Sequence, residues 1–158
     1  MEDQNEWTKD KDWFWEGNVQ KKIAAYMENY EGFEILETAD TMTKARGPDI
    51  LAEKTGIKRI VSVKGFPSDK YVDGNNRGYK KRTNPNTQAK HWFSEAILDL
   101  IRKKSADQNI EIALGFPRFP RYLNLLRELQ WFRETIGLFC YFVSENGEVE
   151  VLGPSDKD

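Results

Sequence analysis

Apolar positions along the chain follow two periods, and the switches between them lay out the elements. Trp15, Val19, Ile23, Tyr26 and Tyr30 recur every three to four residues, which predicts a helix over 13–30 with one face inward. Gly32 follows, a residue suited to the left-handed conformation at a helix end. Phe33-Glu34-Ile35-Leu36 is a short strand. Two apolar runs, 49–54 and 57–64, flank Thr55-Gly56, and this pattern predicts a β-hairpin. Residues 65–87 show no period and carry Pro67, Gly74 and Pro85, so a long functional or mobile loop is expected. A helix capped by Asn86 or Thr87 then runs to about 104, with Ala89, Phe93, Ala96, Ile97, Leu100 and Ile101 inward. A strand over 110–116 precedes a third helix, which Pro120 opens and Gly137 closes, with Leu125, Leu126, Leu129, Phe132 and Ile136 inward. The runs 138–143 and 148–152 form a closing hairpin around Asn146-Gly147. The expected fold is α/β, a mixed β-sheet flanked by helices in the order α-β-β-β-α-β-α-β-β. One domain over 13–153 lies between polar tails at 1–12 and 154–158.

Composition narrows the chemistry. A chain of 158 residues, 39% hydrophobic and 13% aromatic, suffices for one core and is unlike a disordered sequence. No apolar run reaches the length of a membrane span, and the acidic start reads as no signal peptide, so a cytoplasmic setting without a membrane partner is expected. One histidine and one cysteine cannot assemble a zinc site of Cys/His type, nor a nuclease built on several histidines. Cys140 sits within an apolar run and reads as a buried small residue. No Gly-rich phosphate loop is present. Catalysis, if any, rests on carboxylates, lysines and a hard metal.

Net charge is −2, yet its distribution is uneven. Residues 1–16 hold six acids and two lysines, whereas 64–90 hold Lys64, Lys70, Arg77, Lys80, Lys81, Arg82 and Lys90 against Asp69 and Asp73. Arg118, Arg121 and Arg127 form a second basic cluster. Basic patches on a near-neutral body suit a groove that tracks phosphates; solvated loop charge is the plainer alternative.

The hairpin allows a register estimate. With Thr55-Gly56 as a two-residue turn, Lys54 opposes Ile57 and Asp49 opposes Ser62. Side chains alternate, so Lys64 shares the face of Ser62, and Asp49, Ser62 and Lys64 gather on one side of the sheet. An acid and a lysine gathered there can hold Mg²⁺ or Mn²⁺ and an attacking water.

At this point the chain resembles a family. Gly47-Pro48-Asp49-Ile50, then Ile60-Val61-Ser62-Val63-Lys64-Gly65 across a hairpin, is similar to the motif of the PD-(D/E)xK nuclease superfamily, and the element order from about 16 to 152 is similar too. The resemblance implies a restriction-endonuclease-like three-layer core and metal-dependent hydrolysis of DNA phosphodiesters. It implies that Asp49 binds the metal and Lys64 serves the water. Glu16 stands where the first helix supplies a further acid, and Gln88 where the helix after the hairpin supplies a polar group. Many such folds act as dimers, so a homodimer is among the expectations. The chain departs from the motif at Ser62, where the second acid belongs. Some members with Ser-x-Lys recruit an acid from the following helix, and Glu95 is the candidate. Lys90, Arg118 and Arg121, with Arg77, Lys80, Lys81 and Arg82, are the expected DNA contacts. Two alternatives stay open: a nuclease-fold module that binds nucleic acid without cleaving it, and a protein-interaction domain. Glu16 also suits a helix N-terminus electrostatically, and Glu95 also suits an exposed helix face.

Overall fold

The computed structural model describes residues 9–39, 49–67 and 84–157. Its framework is one sheet of six strands lying side by side in chain order: β1 (Glu34–Thr38), β2 (Ile50–Lys54), β3 (Ile57–Val63), β4 (Glu111–Pro117), β5 (Leu138–Val143) and β6 (Val149–Leu152). Neighbours with no described helix between them pair antiparallel: β1 with β2, β2 with β3, and β5 with β6. Neighbours joined through helices pair parallel: β3 with β4 through α2 (Pro85–Ala106), and β4 with β5 through α3 (Pro120–Glu128) and α4 (Gln130–Ile136). The sheet is therefore mixed, and with α1 (Glu16–Tyr26) it makes an α/β fold with four α-helices among the described residues.

Strand alternation divides the core into two halves. Ile50, Ala52, Val61, Val63, Ala113, Tyr141 and Val143 meet Val19, Ile23 and Met27 of α1 and its extension. Ile112, Leu114, Phe116, Cys140 and Phe142 face the other way and meet Ala89, Phe93, Ala96 and Leu100 of α2 and Leu125 and Leu126 of α3. Helices thus cover both faces. Gly115 sets the depth of α1: a Cβ there would stand 2.6 Å from Ile23 Cδ1. Cys140 is buried, as its apolar run suggests, and burial pushes its thiol pKa up. No helix among the described residues is long and apolar enough to cross a membrane.

Three expectations need correction. The first helix spans less than 13–30: α1 begins at Glu16 and passes at Met27 into a π-helical turn, Met27–Glu31. The wider turn shifts the phase, so Met27 is buried while Tyr30 is 81% exposed. Glu31 now reaches the sheet, where Tyr141 Oη donates to its Oε1 at 2.5 Å and Arg59 Nη1 stands 3.5 Å from its Oε2. Second, α2 is capped by Asn84, whose Oδ1 accepts from Asn86 N at 2.9 Å; Pro85 occupies the first helical position, where its missing N–H is harmless. Third, the helix expected from Pro120 to Gly137 breaks at Leu129 (φ −109°, ψ 23°), whose N–H closes a tighter turn onto Leu126 O at 3.1 Å.

Candidate functional site

The β2–β3 turn sets the register of the site. Thr55 (φ 50°) and Gly56 (φ 81°) both adopt positive φ, the two-residue hairpin geometry that matches strand twist. Lys54 then pairs with Ile57 and Ile50 with Val61, and one step further Asp49 comes level with Ser62. Ile50 and Val61 point to α1, so Asp49, Ser62 and Lys64 point to the α2 side by alternation. Ser62 is 3% exposed there.

Asp49 does more than lie level with β3. Its Oδ2 accepts a hydrogen bond from Val63 N at 2.7 Å, which fixes the carboxylate at the open end of the hairpin. Burial raises its pKa above the ordinary 3.8, and the nearby carboxylate of Asp99 adds to this. The Val63 N–H and the ammoniums of Lys64 and Lys103 oppose the rise without cancelling it. Lys64 reaches α2, where its Nζ lies 3.7 Å from Glu95 Oε2. Gln88, Trp92, Glu95, Asp99 and Lys103 recur at helical spacing along one flank of α2, and Lys103 Nζ donates to Asp99 Oδ2 at 2.8 Å.

Gly65 carries the chain out of β3. A Cβ at this position would meet Phe14 O at 2.6 Å and Glu16 N at 2.7 Å, both backbone atoms that cannot swing aside. The start of α1 is thus pressed onto the residue after Lys64, and Phe66 N donates to Phe14 O at 3.1 Å. From the opposite layer the buried Tyr122 donates its hydroxyl to Gly65 O at 2.6 Å. Burial, and secondarily the Glu16 carboxylate, push the Tyr122 hydroxyl pKa up.

The structure therefore gathers Asp49, Ser62, Lys64 and Glu95 at one end of the sheet. Glu16 comes to the same end, placed by Gly65 and Tyr122, and Gln88 sits in the first turn of α2. Arg121 Nε donates to Asn86 O at 3.2 Å beside that turn, and Arg118 Nε stands 3.8 Å from Glu150 Oε2 at the end of β4. Lys90 is not brought in. It lines a separate apolar groove of about 460 Å³ with Phe93, Ile97, Leu98, Leu125 and Phe132, on the far flank of α2. Gly47, Pro48, Arg77, Lys80, Lys81 and Arg82 lie outside the described residues.

Four residues of this region escaped the sequence reading. Asp99 and Lys103 continue the Gln88–Glu95 flank at the next two turns, so the signal was present in the spacing. Gln20 was marked only by its polarity on an inward helix face, and Tyr122 by nothing local.

Mg²⁺ binds through oxygen, with one or two carboxylates completed by water and substrate phosphate. Among the described residues no three acidic, imidazole or thiol side chains stand together as a complete metal cage. Carboxylates of the kind Mg²⁺ needs are present at this end of the sheet: Asp49, with Asp99 and Lys64 near it, and Glu95 beside Lys64. No protein-family model matches the chain, and no curated protein and no solved structure matches it either.

Proposed function

We propose that the protein is a Mg²⁺- or Mn²⁺-dependent DNA endonuclease of restriction-endonuclease-like architecture. The observation that carries this reading is the Asp49 carboxylate, seated on Val63 N at the mouth of a hairpin whose next residue, Lys64, is paired with Glu95. The element order and the mixed six-stranded sheet support it as a setting, with helices on both faces and the acids near the carboxyl ends of parallel strands.

In this reading Asp49 and Glu95 hold the cation, which supplies charge stabilisation to the scissile phosphate. Lys64, an ammonium with three donors, positions the attacking water and offsets charge developing on the phosphate oxygens. Gln88, in the first turn of α2, and Arg121, at the start of α3 beside that turn, orient the DNA backbone. Arg118, just past the end of β4, extends the phosphate track along the strand ends. Glu95 takes the part that a carboxylate at position 62 would have played.

Cleavage of supercoiled and branched DNA by the full chain, with Mg²⁺, Mn²⁺ or EDTA, tests this. Nicking that requires the metal and is lost in D49A and K64A is expected. Undiminished cleavage in both variants sinks the proposal. A second reading, a nuclease-fold module that binds DNA without cutting it, is favoured by Ser62 and by the lack of a three-acid cluster among the described residues. Salt-dependent DNA binding with no cleavage under any metal selects it.

A further inference from the structure

Gln20 is a polar residue in an apolar layer. It lies on α1 next to Val19 and one turn before Ile23, and it is 6% exposed. A buried amide needs partners, and this one finds them outside its helix. Its Nε2 donates to Asp49 O at 2.6 Å and to Ala39 O at 2.9 Å. The carbonyl of Asp49 accepts a second bond from Ala39 N at 3.1 Å. A single side chain thus ties the end of β1 to the residue that leads into β2.

The consequence falls on Asp49. Its carbonyl accepts two hydrogen bonds, so the main chain there has little freedom left. From that anchored position the carboxylate reaches Val63 N at 2.7 Å. Strand ends fray when their backbone groups are unbonded, and a half-buried anion gains hydration by swinging outward. Both tendencies act against the observed placement of Asp49, and the Gln20 amide restrains the first.

We propose that Gln20 is a positioning residue for Asp49: by fixing the carbonyls at 39 and 49, its amide keeps the Asp49 carboxylate on the Val63 N–H. The catalytic consequence rests on the nuclease reading; the positioning itself does not.

Q20M, of similar length and without donors, tests it in the full chain, with D49A as the reference for a lost carboxylate bond. The readout is the Val63 amide proton, by resonance position and hydrogen exchange. V151A, which trims a half-buried β6 side chain away from the clamp, controls for general loss of stability. In Q20M the Val63 signal is expected to move toward its D49A position and to exchange faster, whereas V151A lowers Tm and leaves the signal in place. Mn²⁺ affinity is expected to fall about 10- to 100-fold in Q20M, the effect of losing support behind a metal ligand. A Val63 signal unmoved in Q20M overturns the proposal. Should Q20M fail to fold, Q20N, whose amide falls one methylene short, carries the same expectation and the same refutation. Movement of the Val63 signal in a protein that neither binds Mn²⁺ nor cleaves DNA upholds the positioning and removes the nuclease reading.

Discussion

Lys64 and Glu95 meet across the gap between β3 and α2, with Nζ 3.7 Å from Oε2. Glu95 is 67% exposed, and an ion pair so open to water is worth about 0–1 kcal/mol. Stability therefore does not explain its placement. E95A is expected to leave Tm nearly unchanged while lowering metal-dependent cleavage by about 100-fold, in the range of a lost charge-stabilising group. Thermal melts and single-turnover cleavage on the same samples check this. A Tm loss in proportion to the activity loss would make Glu95 a structural residue.

Asp49 gives a prediction with a definite sign. Burial raises its pKa in the folded protein above the ordinary value of 3.8, so the native state holds the proton more tightly than the unfolded chain. Its contribution to stability is fully present below the ordinary carboxylate pKa and is lost as pH rises through the folded value. Asparagine keeps an oxygen for Val63 N–H and never ionises. D49N is thus expected to be more stable than the parent at neutral pH, to lose that advantage in acid, and to be inactive at every pH. Melting curves across pH for both proteins decide it; an advantage that grows in acid would reverse the assignment.

Much of this site was legible because it lies on a hairpin. Thr55-Gly56 admits a two-residue turn, and the turn carries Asp49 to Ser62 and Lys64 to the same face without any tertiary information. The flank of α2 was legible in the same way as far as Gln88 and Glu95, which obey helical spacing, though Asp99 and Lys103 at the next two turns were missed. Gln20 was not, because its partners are backbone carbonyls on two strands, and no local pattern records them. The π turn escaped too, because the apolar stripe through Tyr26 and Tyr30 reads as regular. The partners that Glu31 finds through that turn, Arg59 and Tyr141, lie 28 and 110 residues away in sequence, beyond any local pattern.

Ser62 offers a gain-of-function test. It is buried beneath α2 on the face of Asp49, so a second carboxylate there would be desolvated and would repel the first. S62D is expected to lower Tm in EDTA and to recover it on addition of Mg²⁺, because a ligand that binds only the native state stabilises in proportion to its occupancy. Differential scanning fluorimetry with and without Mg²⁺ measures both effects. Equal melting in the two buffers would show that position 62 does not face the metal.

Gly65 holds the site from the other side. Any Cβ there would collide with Phe14 O and Glu16 N at 2.6 and 2.7 Å. Since both are backbone atoms, the strain is relieved only by shifting α1 or the end of β3. G65A is expected to destabilise by about 1–3 kcal/mol, as overpacking does, and to lower activity further through Lys64. Denaturant unfolding gives the first quantity. Wild-type stability in G65A would mean that the close approach is slack.

The basic residues separate into two groups with different expectations. Arg121 borders the first turn of α2 through Asn86 and lies at the end of the sheet that carries Asp49 and Lys64. Lys90 projects beside the apolar groove on the opposite flank of α2. R121A is expected to weaken DNA binding at all sequences and to reduce the slope of log affinity against log salt by about 1. K90A is expected to leave both affinity and slope at wild-type values. Fluorescence anisotropy titrations over a series of salt concentrations distinguish them. Equal losses in both variants would place the DNA across α2 rather than along the strand ends, and the site would then have to be moved with it.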